Sequence, residues 1–327
     1  MVIGRGTFGK VFLAEQKATH KLYAIKSIRK DVLIQYDQVD NTILEKDIMF
    51  ECDHPFLVGM EYLFQNDLRL YFVMPFVRGG EMYKIFQASK RFKEKQVLFY
   101  TAQLTIAIGY LHMKGIVHRD LKLENILCDE DGYLKIIDYG LAKMLAENQE
   151  TTSFCGTPEY LAPEMINQSG HDKSVDWWAL GILIYEMLIG VTPFFNKNKN
   201  ILMQKIQNSK VVFPDRKKYK IEYSDEIMDL IVKLLDKDKS KRLGSADDFA
   251  EVLSHPVFSS LNIQALENRE IPAPFKPSVE KKDLTKYFNV QESKQAINDT
   301  YIPRENRKIV AANNDAFSNF DSKKKKH

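Results

Sequence analysis

The spacing of apolar and polar residues changes along this chain, and each change marks an element. Val11-Phe12-Leu13-Ala14 and Tyr23-Ala24-Ile25-Lys26 read as short strands, the second ending on a lysine. Gln38 to Cys52 shifts to helical spacing, with Val39, Ile43, Leu44, Ile48 and Met49 along one side. Two further strands, Val58 to Phe64 and Leu68 to Phe76, flank the turn residues Gln65-Asn66-Asp67. The spacing then predicts a long amphipathic helix over Gln96 to Met113 and a strongly apolar one over Asp176 to Ile189 that runs through the core. Residues 1 to about 74 are expected to be strand-rich with one helix, and residues 80 to about 258 mostly helical. From about residue 259 the periodicity fades and Pro272, Pro274 and Pro277 appear, as in an extended tail laid on the surface rather than a domain.

Chemistry concentrates between the two long helices. His118-Arg119-Asp120-Leu121-Lys122-Leu123-Glu124-Asn125 is followed by Asp138-Tyr139-Gly140. A carboxylate base, a cation and two oxygen ligands for a metal stand close together, which is what in-line transfer of a phosphoryl group from ATP to a hydroxyl needs. Near the start, Gly4-Arg5-Gly6-Thr7-Phe8-Gly9-Lys10-Val11 carries a GxGxxG pattern. Glycine lacks a Cβ, so the main chain can approach phosphate oxygens. The pattern also occurs in dinucleotide-binding turns, but those open a helix and need an acidic partner, whereas here a strand follows.

These segments, in this order, resemble the eukaryotic protein kinases. The resemblance implies an α+β, bilobal protein-kinase fold over residues 1–258, with a small β-rich N-lobe (1–74) containing helix αC, a hinge (75–79) and a larger helical C-lobe (80–258). It implies ATP and Mg2+. Gly4, Arg5, Gly6, Thr7, Phe8 and Gly9 would cover the phosphates, and Lys26 would grip two of them. Glu45 would orient Lys26, with Asp47 and Glu51 as rival acids on the same helix. Val11, Ala24 and Leu127 would enclose adenine, Met74 would guard the back of the pocket, and Pro75-Phe76-Val77 would supply hinge hydrogen bonds. Met49, Met60, Tyr139 and His118 match a second apolar stack. Asp120 is the expected base, Lys122 steadies the transferring phosphate, and Asn125 and Asp138 hold magnesium. Leu123 stands where such kinases often carry proline, and Tyr139 replaces phenylalanine, so its hydroxyl needs a partner if buried. Kinase domains usually have several more residues before Gly4, so a trimmed or misassigned start is expected.

Composition agrees. The chain has 327 residues, 44% hydrophobic and 28% charged, ordinary for a globular protein of two lobes. A net charge of +3 is too small to imply nucleic acid. No apolar run approaches the roughly 20 residues that span a bilayer, and nothing at the N-terminus resembles a cleavable signal. Cys52, Cys128 and Cys155 show neither metal spacing nor a disulfide framework. A reducing compartment follows, with a cytoplasmic location, nuclear access and a monomeric catalytic domain as expectations.

Thr151-Thr152-Ser153-Phe154-Cys155-Gly156-Thr157-Pro158-Glu159-Tyr160-Leu161, before Ala162-Pro163-Glu164, narrows the resemblance to the AGC group, as does Asp176-Trp177-Trp178-Ala179-Leu180-Gly181. Ser153 aligns with the activating phosphosite of that group, the target of an upstream kinase, with Arg119 and Lys143 as candidate phosphate ligands and Thr151 and Thr152 as secondary sites. Glu81, Glu124 and Glu186 match positions that receive arginines before the acceptor, implying basophilic protein substrates. Phe154, Pro158 and Leu161 would receive an apolar residue after it. Arg242 would brace Glu164.

The tail carries its own resemblance. Ile271 to Pro277, Asp283 to Phe288, and Phe317-Ser318-Asn319-Phe320-Asp321 look like the AGC C-terminal extension, over residues 259–327, and its hydrophobic motif. Phe317 and Phe320 would dock beside helix αC, with Asp321 as a fixed charge in place of a phosphosite. Thr300 is a candidate turn-motif site, and Lys323 to Lys326 read as a nuclear address, an anionic-lipid contact or a solvated end. A pseudokinase scaffold remains the alternative, kept open by the short first strand and Tyr139 and opposed by the retention of Lys26, Asp120, Asn125 and Asp138.

Overall fold

The computed structural model describes residues 1–6, 8–279, 286–288 and 301–320, with the backbone alone at Asn319. Thr7, Asp283 to Thr285, Thr300, Asp321 and Lys323 to Lys326 therefore lie outside the described residues. The chain forms two compact units. One comprises Met1–Asp53, Val58–Gly80 and Val279–His327; the other comprises His54–Leu57 and Glu81–Ser278. Residues 54–57 go with the second because Ile136 N donates to Phe56 O at 2.8 Å and Leu57 bridges to Ile136.

The first unit is built on a five-stranded antiparallel sheet of β1 (Val2–Gly6), β2 (Gly9–Glu15), β3 (Leu22–Arg29), β4 (Tyr62–Gln65) and β5 (Arg69–Pro75), in the order β1-β2-β3-β5-β4. Two helices, α1 (Lys30–Gln35) and α2 (Val39–Glu51), interrupt it where the periodicity predicts one. The extra helix has only six residues and follows β3 without a loop, so no apolar repeat announces it. The strand expected from Val58 begins only at Tyr62, because the Met60 N–H is taken by the Met49 carbonyl of α2 at 2.9 Å.

The second unit contains α3 (Met82–Ser89), α4 (Glu94–Met113), β6 (Ile116–Val117), β7 (Ile126–Cys128), β8 (Leu134–Ile136), β9 (Lys143–Met144), α5 (Pro163–Asn167), α6 (Ser174–Ile189), α7 (Lys199–Asn208), α8 (Arg216–Tyr219), α9 (Asp225–Leu234), α10 (Asp248–Leu253) and α11 (Ile263–Glu267). Two small ladders, β6 with β9 and β7 with β8, frame the loops between α4 and α5. Helix α6 is apolar on every face and is the core of the unit, with Trp177 and Trp178 fully enclosed. Helix α4 begins two residues before the expected start, where the Gln96 side chain accepts from the Lys93 N–H at 3.0 Å. It is not amphipathic: α6, α10, α11 and β8 all pack on it and bury nearly its whole circumference.

The last stretch divides between the units and is not simply extended. Residues 301–320 form α12 (Arg304–Ala312) and a 3-10 segment, Asn314–Phe320, within the first unit. Helix α12 packs on α1, where Asn306 Nδ2 donates to Asp31 Oδ2 at 2.6 Å. The prolines that predict an extended course lie earlier, in residues 272–277.

Candidate active site

In the first unit, residues directly opposite in a ladder, and residues two apart on a strand, share a face. Val11 pairs with Lys26 and Ala24 pairs with Met74, so Val11, Ala24, Lys26 and Met74 lie on one face of the sheet. Lys26 Nζ reaches Glu45 Oε1 at 2.6 Å, and the Glu45 side chain is only 5% exposed. This geometry selects Glu45 over Asp47 and Glu51 as the acid for Lys26; Asp47 instead pairs with Lys46 at 2.9 Å.

Gly4, Arg5 and Gly6 lie in β1 and Gly9 opens β2, with Gly6 opposite Gly9 and Phe8 in the turn between. At Gly9 the requirement is close approach, since an added Cβ would overlap the Ser27 carbonyl of β3. A Cβ at Gly6 would meet nothing within 4 Å. Phe76 N donates to Leu22 O at 3.4 Å and its ring stacks on Phe288 at 5.2 Å.

The second unit carries the acid-base cluster. Strand β6 leads into a loop in which Asp120 Oδ2 accepts from Lys122 Nζ at 2.7 Å and from Asn125 Nδ2 at 2.9 Å. Asn125 Nδ2 also holds the Asp120 carbonyl at 2.8 Å. Thr157 completes the set, donating to Asp120 Oδ1 at 2.9 Å and accepting from Lys122 Nζ at 2.8 Å. Thr157 is a site residue with no local pattern in the sequence beyond its place directly after Gly156 in the activation segment.

Backbone strain marks the same loops. Arg119 has φ 66° and Asp138 has φ 64°, in the left-handed region that non-glycine residues rarely occupy. Asp176 of α6 stabilises the first, accepting the His118 and Arg119 N–H groups at 2.8 Å each. Ile137 N donates to Asn125 O at 2.9 Å, tying the loop of Asn125 to that of Asp138, an exposed residue whose Oδ1 accepts from Gly140 N at 3.3 Å. Tyr139 is buried, packs edge-on to His118 at 5.7 Å, and directs its hydroxyl to Ile136 O at 3.4 Å. Leu127 sits on β7, bridged by its backbone to Glu81 at the start of α3.

A magnesium ion shared with phosphates takes only one or two protein oxygens, the rest coming from water and substrate. One exposed carboxylate, Asp138, and the side-chain amide of Asn125, from two loops tied by the Ile137–Asn125 backbone bond, fit that requirement. No group of three or more His, Cys, Asp or Glu that could hold a metal occurs among the described residues.

Arg119 Nη1 donates to Ser153 Oγ at 2.5 Å, and Lys143 Nζ donates to Thr151 Oγ1 at 2.6 Å. Ser153 is exposed, whereas Thr151 is buried in a backbone bridge to His171. Tyr160 donates its hydroxyl to Glu186. Burial pushes the Glu186 carboxyl up to about 7, and the charges of Glu124 and Glu159 add to the shift. Glu124 and Glu186 are thus brought into one field, joined by Glu159. Phe154 points outward at 55% exposure, Pro158 is half-buried, and Leu161 is buried beneath Gly156. Arg242 makes two parallel bonds to Glu164, at 2.6 and 2.9 Å.

On the first unit, the Phe317 and Phe320 rings are almost wholly buried. Phe320 stacks on Phe72 at 6.5 Å, Lys30 and Lys46 lie over the two rings, and Gln65 Nε2 donates to Phe317 O at 3.1 Å.

The protein kinase domain profile matches residues 1–258. The chain is 43% identical over 298 residues to the RAC serine/threonine-protein kinase of Drosophila melanogaster, covering 90% of this chain and 48% of that protein. It is 44% identical over 279 residues to the serine/threonine-protein kinase sgk-1 of Caenorhabditis elegans, covering 85% and 59%. Protein kinase C of Drosophila melanogaster is 39% identical over 321 residues, covering 98% and 42%. The chain spans about half the length of these curated relatives.

Proposed function

The chain belongs to the protein kinase domain family, among the AGC-group serine/threonine kinases, and we propose that it transfers the γ-phosphate of ATP to serine or threonine hydroxyls of proteins. The observation that carries this is the Asp120 carboxylate held by Lys122, Asn125 and Thr157 in a loop whose strained backbone is bonded to Asp176. Three hydrogen bonds fix its rotamer, so an acceptor hydroxyl meets an oriented base with little left to reorganise.

Asp120 takes the proton of the substrate hydroxyl as the oxygen attacks the γ-phosphorus, and the bond from that phosphorus to the β,γ-bridging oxygen breaks, its electron pair leaving with ADP. Lys122, bonded to both Asp120 and Thr157, offers a cation where charge develops on the transferring group. Lys26, held by Glu45, binds triphosphate oxygens. Asn125 and Asp138 would hold magnesium, which when bound neutralises charge on the phosphate oxygens. Glu124 and Glu186 offer carboxylates to arginines that precede the acceptor, and charge-assisted bonds of that type discriminate well. Ser153 is the site for an upstream kinase, beside Arg119 and Lys143. Docked Phe317 and Phe320 support α2 and its Glu45. A reducing, intracellular setting is part of the proposal, because the spacing of Cys52, Cys128 and Cys155 offers neither a disulfide framework nor a metal motif.

The test is transfer of labelled phosphate from ATP and magnesium to a peptide with arginines before a serine. Asp120→Asn is expected to lower turnover by about 10²- to 10⁴-fold. A chain that binds nucleotide but shows no transfer above Asp120→Asn is a scaffold instead.

A further inference from the structure

Helix α4 ends in a histidine bracketed by carboxylates on both ring nitrogens. His112 Nδ1 lies 2.9 Å from Asp248 Oδ1, and Nε2 lies 3.0 Å from Asp176 Oδ2. The His112 side chain is 0% exposed and that of Asp176 is 1% exposed. The other Asp248 oxygen accepts from Lys173 Nζ at 2.6 Å. Trp177 closes the site edge-on at 5.2 Å, and His118 is the further titratable group near Asp176. Asp248 itself is held at φ 49°, a left-handed conformation that a non-glycine residue keeps only when its surroundings demand it.

A neutral imidazole has one N–H, and both nitrogens donate only in the imidazolium form. With a carboxylate on each side, loss of the proton leaves one carboxylate facing a lone pair of a buried ring. Burial opposes the charge, but the hydrogen bonds and charges of Asp176 and Asp248 outweigh it and raise the His112 pKa above its ordinary 6.5. Stability from this bracket is fully present below 6.5 and is lost as pH rises through the raised value.

Asp176 makes this more than a local matter. The oxygen that faces His112 also accepts the His118 N–H, and its other oxygen accepts the N–H of the strained Arg119. We propose that Asp248, anchored by Lys173, is a positioning residue: through a positively charged His112 it fixes Asp176, and with it the backbone that carries Asp120. The catalytic part of this proposal rests on the phosphotransfer function above; the positioning part stands on the loop alone.

The experiment follows ring signals of His112 and backbone amide signals of His118 and Arg119 by NMR in the full chain. Turnover at saturating substrates is measured alongside, from about pH 6 to about pH 9. In the parent, the two amides and the alkaline loss of turnover share the His112 midpoint. Asp248→Asn removes one charge of the bracket and lowers all three midpoints together. Turnover is then expected to fall about tenfold below the parent on the alkaline side of the parent's midpoint while staying within about twofold of it at the acid end of the range. Lys173→Met removes a half-exposed cation beside Asp248 and shifts the midpoints upward; it decides the matter alone if Asp248→Asn does not fold. Amides that ignore the His112 midpoint, or pH profiles unchanged in the variants, overturn the proposal. Absence of transfer at every pH would defeat the kinase function instead, and the amide titration would still decide the positioning role.

Discussion

Arg119 joins Ser153 to the loop of Asp120: its Nη1 donates to the Ser153 hydroxyl at 2.5 Å while its Nε holds the Leu141 carbonyl at 2.8 Å. One guanidinium therefore links three segments, and Lys143 stands one hydroxyl away through Thr151, which lies 3.3 Å from Ser153. A serine hydroxyl offers this cation a single weak acceptor. A phosphate there adds about −1.5 to −2 charges and three acceptor oxygens, enough to engage both cations. Ser153→Ala is expected to lower turnover by about a hundredfold relative to protein shown by mass spectrometry to be phosphorylated at Ser153. Equal turnover in the two would remove the phosphate from the activation of this chain.

Glu186 gives a pH dependence with a defined sign. Its carboxyl is raised from 4.5 to about 7, mainly by burial. The folded protein thus keeps a proton that the unfolded chain has released between those values. Its contribution to stability is fully present below 4.5 and declines as pH rises through about 7. An arriving arginine reverses the balance, because it favours the carboxylate and expels the proton. Peptides with arginine before the acceptor are expected to bind more tightly as pH rises through about 7, with proton release detectable by calorimetry in buffers of different ionisation enthalpy. Glu186→Gln should flatten both the stability slope and the affinity slope. Unchanged slopes would assign Glu186 to the Tyr160 contact alone.

Much of this arrangement was legible in the sequence, for reasons that differ between elements. Strand β3 and helix α2 follow their own periodicity, so both elements are reached from spacing; the Lys26–Glu45 pairing comes only from the kinase resemblance, with Asp47 and Glu51 as rivals, and the 2.6 Å contact joins that pair. Helix α1 and helix α12 were not legible. The first is too short to carry a repeat, and the second buries Val310 while leaving most of its length exposed. Thr157 escaped notice because a threonine in a loop has no pattern until Asp120 and Lys122 are seen against it. His112 escaped for a related reason: its partners come from α6 and α10, far along the chain, and nothing local distinguishes a bracketed imidazole from an ordinary core histidine.

The docked tail offers a test confined to the first unit. Phe317 and Phe320 are buried against β4, β5 and α1, with Lys30 and Lys46 over their rings. Lys46 belongs to α2, next to Glu45, so loosening the rings removes packing from the helix that holds Lys26. Each Phe→Ala change removes about 3–5 kcal/mol of burial from the docked state. The double variant is expected to raise hydrogen exchange across α2 and to weaken ATP binding, while exchange across α6 stays at the parent level. Faster exchange limited to residues 301–320 would show that the tail docks without supporting α2.

The Arg242–Glu164 pair separates fold from chemistry. Both side chains are buried, the guanidinium makes two parallel bonds to the carboxylate, and Arg242 also donates to Ser174 O at 3.0 Å and to Asp236 O at 3.2 Å. Removing one partner leaves an uncompensated charge in the interior, at a cost of about 3–5 kcal/mol. Arg242→Met is therefore expected to lower Tm clearly, and Arg242→Lys to recover little of the loss, since an ammonium cannot form the planar fork. Replacing both, as Arg242→Met with Glu164→Leu, removes the stranded carboxylate and should restore part of the stability, because desolvation of the native pair offsets much of its attraction. Urea unfolding of the parent, Arg242→Met, Glu164→Leu and the double variant gives the coupling energy directly. A double variant no more stable than Arg242→Met alone would mean that the bonds to Ser174 and Asp236, rather than Glu164, are what Arg242 contributes.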